Sequence, residues 1–135
     1  MIAVVDTNVL VSGLLSSLGP SARIVERIES GRIRACYDDR IMSEYSEVLL
    51  RPRFPFDPKD VRRLLEKVEA DGVPVLCEPL PADLPDKDDN MFVEAALAGG
   101  ARCLVTGNLK HYPVERCCGI DVVTPAALVT WPDFP

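Results

Sequence analysis

The sequence predicts an α/β fold with a central parallel sheet and helices on both faces. Ile2-Ala3-Val4-Val5 and Cys103-Leu104-Val105 are short, unbroken apolar runs with β-branched members, as in strands buried on both faces. Such runs alternate along the chain with segments of helical period and capping signals. Both runs end on a polar step, Asp6-Thr7-Asn8 and Thr106-Gly107-Asn108. Open α/β sheets form their ligand crevice at such carboxyl ends.

After the first strand, Thr7 or Asn8 is placed to cap a helix through about Ser17, broken by Ser17-Leu18-Gly19-Pro20. Pro20 suits the first turn of a second helix, which runs to Ser30 and stops at Gly31. Ile33 to Tyr37 reads as a short strand. Asp38-Asp39 then caps a helix ending near Arg51-Pro52. A proline-rich link, Arg53-Phe54-Pro55-Phe56, leads to the cap pair Asp57-Pro58 and a helix to about Asp71-Gly72. Val73 to Cys77 is strand-like, and Glu78 to Lys87, with three prolines, is a loop. A helix follows from about Asp89 to Ala98, stopped by Gly99-Gly100. Asp121-Val122-Val123 is the last strand, and Thr124-Pro125 caps a closing helical turn.

The 135 residues, 47% apolar and 27% charged, fit one globular domain spanning 1–135. With no apolar stretch near 18 residues and no signal-like amino terminus, a cytoplasmic protein without a membrane span is expected. The five cysteines, odd in number and without C-x-x-C spacing, read as structural thiols. A net charge of −6 argues against loose nucleic-acid binding. The distribution is uneven, however: eleven of fifteen Lys/Arg lie between Arg23 and Lys67, and from Val68 onward eleven acids face four bases.

Asp6, at the end of a buried strand, must be paired, protonated or metal-bound. On the helix from Asp39, residues Ile41, Met42, Tyr45, Val48 and Leu49 define an apolar arc at 100° per residue. Glu44 lies at its edge, able to turn toward the sheet, whereas Glu47 points to solvent. Asp86-Lys87-Asp88-Asp89-Asn90 is the second acidic spot. Capping needs only one of its aspartates, and two carboxylates about 4 Å apart repel by roughly 4 kcal/mol at an effective dielectric near 20. A divalent cation is the simplest way to hold such groups near Asp6 and Glu44, and all-oxygen ligands suit Mg²⁺ or Mn²⁺. His111, the sole histidine, reads as a surface or packing residue.

Val4-Val5-Asp6-Thr7-Asn8-Val9-Leu10, Ser43-Glu44-Tyr45-Ser46-Glu47-Val48-Leu49, Asp86-Lys87-Asp88-Asp89-Asn90 and Leu104-Val105-Thr106-Gly107-Asn108-Leu109, in this order, resemble the motifs of PIN domains. These are the metal-dependent ribonuclease fold of VapC-like toxins. The resemblance covers nearly the whole chain and implies a three-layer α/β/α fold. It implies an endoribonuclease using Mg²⁺ or Mn²⁺, with Asp6, Glu44 and Asp89 as metal ligands. Asn108 stands where the family often has a fourth acid, and Asn8, Thr106 and Asp86 act in support. RNA is the implied substrate, with Arg62, Arg63 and Lys110 as candidate contacts. The resemblance further implies a cognate antitoxin as partner, and it allows a homodimer.

Two other readings compete. Asn108 would also suit a catalytically weakened PIN scaffold that binds protein or RNA. Haloacid-dehalogenase-like phosphatases begin Asp-x-Asp after the first strand, but here Asn8 stands in place of the second aspartate. A receiver domain needs a phosphoaccepting aspartate that Leu76-Cys77-Glu78 does not supply.

Overall fold

The computed structural model describes all 135 residues, Met1–Pro135. Five strands form one parallel sheet: β1 (Ile2–Val5), β2 (Arg34–Tyr37), β3 (Val73–Pro74), β4 (Cys103–Val105) and β5 (Val122–Val123), in the order β3-β2-β1-β4-β5. Six helices complete the three-layer α/β/α arrangement: α1 (Thr7–Leu15), α2 (Pro20–Glu29), α3 (Asp39–Leu49), α4 (Pro58–Asp71), α5 (Asn90–Gly99) and α6 (Pro125–Leu128). The expected fold class is the observed one. No helix is long and apolar enough to cross a membrane.

Strand order reverses between β1 and β4, so the switch crevice of an open α/β sheet opens between their carboxyl ends. The register pairs Ala3 with Cys103, Val4 with Leu104 and Val5 with Val105. The next residues, Asp6 and Thr106, therefore meet at the top of the crevice, where the Asp6 N–H donates to the Val105 carbonyl at 3.0 Å. Ala3, Val4, Val5, Cys103, Leu104 and Val105 are wholly buried, as expected of strands covered on both faces. They belong to a cluster of 29 buried residues that also includes Tyr45, Phe92, Leu10 and Leu64.

Two elements are shorter than the sequence implies. The first helix stops at Leu15 because the Ser16 side chain binds the backbone of Leu18 instead, at 3.1 and 3.3 Å. At the sheet edge β3 contains two residues rather than five. The nitrogen of Pro74 faces the open edge, where a missing N–H costs no ladder bond; Val75 makes the last bond, to the Tyr37 carbonyl at 3.0 Å, and the chain then turns out, leaving Leu76 exposed.

α1 and α2 touch closely at Gly13. A Cβ there would meet Val25 Cγ2 and stand 2.7 Å from the Ser21 carbonyl oxygen. Alanine is the better helix former by about 1 kcal/mol, but overpacking against backbone costs about 1–3 kcal/mol. Gly13→Ala is therefore expected to lower stability by up to about 2 kcal/mol in urea denaturation. A stabilised variant would show that the two helices separate freely.

Candidate active site

Asp6 precedes α1, where an aspartate ordinarily caps the helix, yet its side chain makes no capping bond. Its Oδ2 instead accepts from Thr106 Oγ1 at 2.8 Å, Tyr112 Oη at 3.0 Å and Asn8 Nδ2 at 3.3 Å. Burial and the neighbouring Asp6 and Asp89 charges raise the Tyr112 hydroxyl well above its usual range, so it remains a donor. Asn8 joins the two strand ends: its Oδ1 accepts from the Gly107 N–H at 2.9 Å, while its amide N–H reaches Asp6. Oδ1 of Asp6 has no protein donor.

Glu44 arrives from α3. The fully buried Tyr45 next to it donates its hydroxyl to the Val5 carbonyl, fixing α3 at the end of β1. That anchor turns the half-buried Glu44 toward Thr7, whose Oγ1 donates to Glu44 Oε2. Glu47 lies in solvent, paired with Arg51 at 2.8 Å. Asp89 enters at the start of α5 and makes no capping bond. Asp86 takes the capping role, accepting from the Asp88 N–H at 2.9 Å ahead of the short turn Lys87–Asp89. Asp89 Oδ2 lies 3.0 Å from His111 Nδ1.

Asp6, Glu44 and Asp89 line one open cleft of about 390 Å³, together with Asn8, Arg51, Arg53, Phe54 and His111. Each of the three carboxylates engages one oxygen with a protein donor and leaves the other without one. No buried side-chain oxygen or nitrogen in the protein lacks a partner, so these free oxygens open to solvent. Burial raises the Asp89 carboxyl to about 6, reinforced by the charges of Asp6 and Asp86. Glu44 is likewise raised, mainly by burial and then by Asp6 and Asp88.

A PIN domain family profile matches residues 3–110. The chain belongs to the PIN domain family. No curated protein gives a significant match. PIN domains are nucleases as a family and generally use divalent metal ions. In this PIN domain the donor chemistry fits such an ion: three carboxylates each keep an oxygen free of protein donors, and burial raises the proton affinity of Glu44 and Asp89, which a cation would relieve. No three Asp, Glu, His or Cys side chains yet stand close enough to hold an ion outright. Mg²⁺ tolerates this, because it keeps several waters and needs only one or two protein carboxylates.

Other expected site residues lie elsewhere. Asn108 presents its backbone N–H to Thr106 Oγ1 at 3.1 Å; its amide makes no hydrogen bond and does not line the cleft. Arg62 and Arg63 are exposed on α4, and Lys110 is exposed beside His111, all outside the cleft lining. His111, expected as a surface or packing residue, is part-exposed and sets its ring against Asp89. Thr7, Tyr112, Arg51 and Arg53 also escaped the sequence reading. Only His111 and Tyr112 left a signal there: they follow the Thr106-Gly107-Asn108 strand end so closely that a tight turn returns them to it.

Proposed function

We propose that this PIN domain is a Mg²⁺- or Mn²⁺-dependent endoribonuclease, acting as the toxin of a toxin–antitoxin pair in the cytoplasm. The observation that carries the nuclease reading is the set of three carboxylates on one crevice, each with an oxygen no protein group occupies. Asp6, Glu44 and Asp89 would hold the ion. When bound, it would supply an activated water and neutralise charge developing on the phosphate. The chain's own contribution is orientation. Thr106, Tyr112 and Asn8 fix the Asp6 carboxylate, Thr7 fixes Glu44 and His111 fixes Asp89, the kind of outer partners that set ligand direction. Arg51 and Arg53 lend the otherwise acidic cleft positive charge for a polyanion. The toxin role rests on the resemblance of the four motifs to VapC-like proteins, and a cognate antitoxin would then be the protein partner.

The test is cleavage of labelled single-stranded RNA with Mg²⁺ or Mn²⁺ and its loss with chelator, together with thermal shifts across pH. Asp89 binds its proton more tightly folded than unfolded, so its contribution to metal-free stability is full below 3.8 and is lost as pH rises through about 6. Metal competes with that proton. The Mn²⁺-induced rise in Tm is therefore expected to be small at about pH 5 and large at about pH 7. An ion effect independent of pH would remove Asp89 from the ligand set, and RNA left intact under all conditions would remove the nuclease reading.

A further inference from the structure

The link between α3 and α4 offers a built cationic wall that the three carboxylates do not explain. Arg51, Arg53 and the half-buried Phe54 line the cleft together. Arg51 is committed: its Nε and Nη2 lie 3.1, 3.0 and 2.8 Å from the Glu47 carboxylate. Arg53 forms no ion pair, although it faces a cleft that contains three acids. Its guanidinium instead lies over the Phe54 ring, 4.9 Å from the centroid. Phe54 in turn stacks on Phe56, with centroids 5.2 Å apart and planes 15° apart. Pro52 and Pro55 alternate with these residues and fix the backbone at two points.

This arrangement has a physical consequence. An exposed arginine loses rotamer freedom when it binds a ligand, and that loss opposes binding. Arg53 has already lost part of it, because the aromatic pair holds its plane. A guanidinium with all its N–H donors free suits a phosphate that can accept two parallel bonds. It also stands apart from the acids, so a cation on the carboxylates and an anion on Arg53 would not exclude each other.

We infer that Arg53, braced by Phe54 and Phe56, binds a backbone phosphate of single-stranded RNA next to the one at the carboxylates. The inference rests on the nuclease reading above and adds to it the residue that seats the substrate. Phe54 is the positioning residue: it touches Arg53 and sets the direction of its donors.

The experiment measures initial rates of cleavage of a short labelled single-stranded RNA across a series of KCl concentrations. Arg53→Ala is expected to raise KM roughly tenfold, the size of one charge-assisted contact, with kcat nearly kept. The dependence of log KM on log salt should flatten by about 0.7, one phosphate contact on a single strand. Arg53→Lys keeps the charge and should restore the slope but only part of KM, because the fork is lost. Phe54→Leu should raise KM without changing the slope.

Arg32, exposed in the turn before β2 and so at the opposite end of the sheet, provides the comparison. If Arg32→Ala raises KM as much as Arg53→Ala, only net charge matters and the inference falls. It also falls if Arg53→Ala cleaves with wild-type KM and salt slope, while the nuclease reading survives. Folded wild-type protein that neither binds nor cleaves the RNA overturns both.

Discussion

Asp6→Asn is expected to end metal-dependent RNA cleavage and leave the fold intact. The asparagine carbonyl can still accept from Thr106 and Tyr112, so neither buried hydroxyl is orphaned. Its amide N–H₂ then occupies the position of the donor-free oxygen and cannot ligate a cation. The loss should exceed the roughly 10–100-fold that removal of an outer partner costs a metal site. Stability should move the other way. Asp6 is among the charges that raise Glu44 and Asp89, so the variant relieves repulsion that the native protein carries above about pH 6. Both are checked by rate measurement and thermal unfolding near neutral pH. Cleavage within tenfold of wild type, or a collapse in Tm, would assign Asp6 to structure rather than chemistry.

The largest effect on stability is expected from Arg40, outside the site. Glu94 on α5 is 6% exposed, and its carboxylate has two partners: Arg40 Nη1 at 2.8 Å and the Leu80 N–H at 3.0 Å. Arg40 also binds Asp38, the cap of α3, at 2.7 and 2.9 Å. The Arg40–Glu94 pair thus ties α3, α5 and, through Leu80, the loop before α5 together beside a concavity of about 540 Å³ that contains none of the three site carboxylates. Arg40→Met keeps the aliphatic stem but leaves Glu94 a buried, nearly unpaired charge. The cost should be about 3 kcal/mol, the low end for breaking a buried pair, because Arg40 itself is half exposed. Adding Glu94→Leu should recover most of it, since a buried pair replaced by apolar groups is often neutral. Urea midpoints for the single and double variants decide this, and a single-variant loss below about 1 kcal/mol would mean that water already screens Glu94.

The parts of this architecture written in local pattern were open to reading in the sequence. β1 and β4 are unbroken apolar runs, Asp57-Pro58 and Thr124-Pro125 cap the helices they precede, and the 100° arc of α3 separates Glu44 from Glu47. β3 was over-read because Val73 to Cys77 looks strand-like, and nothing in that run marks Val75 as the last residue to bond to β2. The cleft wall was harder. Arg53 is one of eleven bases in its segment, and nothing local distinguishes it from Arg62. What separates them is the path of the link after α3, a tertiary fact. The partners of Tyr112 and Thr7 were not legible for the same reason: a hydroxyl's partner lies wherever the chain happens to return, 106 residues away for one and 37 for the other.

Those separations also set the order in which the site can come into being. Synthesis delivers Asp6 before Glu44 and Glu44 before Asp89. The hydroxyls that aim Asp6 come 100 and 106 positions after it, and β4, the strand that creates the crevice, directly precedes the first of them. Contacts of such span form late, because the chain must close a long loop before they give any return. A growing chain on the ribosome therefore holds every acid of the centre before it holds the centre. The direction of the Asp6 carboxylate is set by residues made after all three acids, Thr106 and Tyr112.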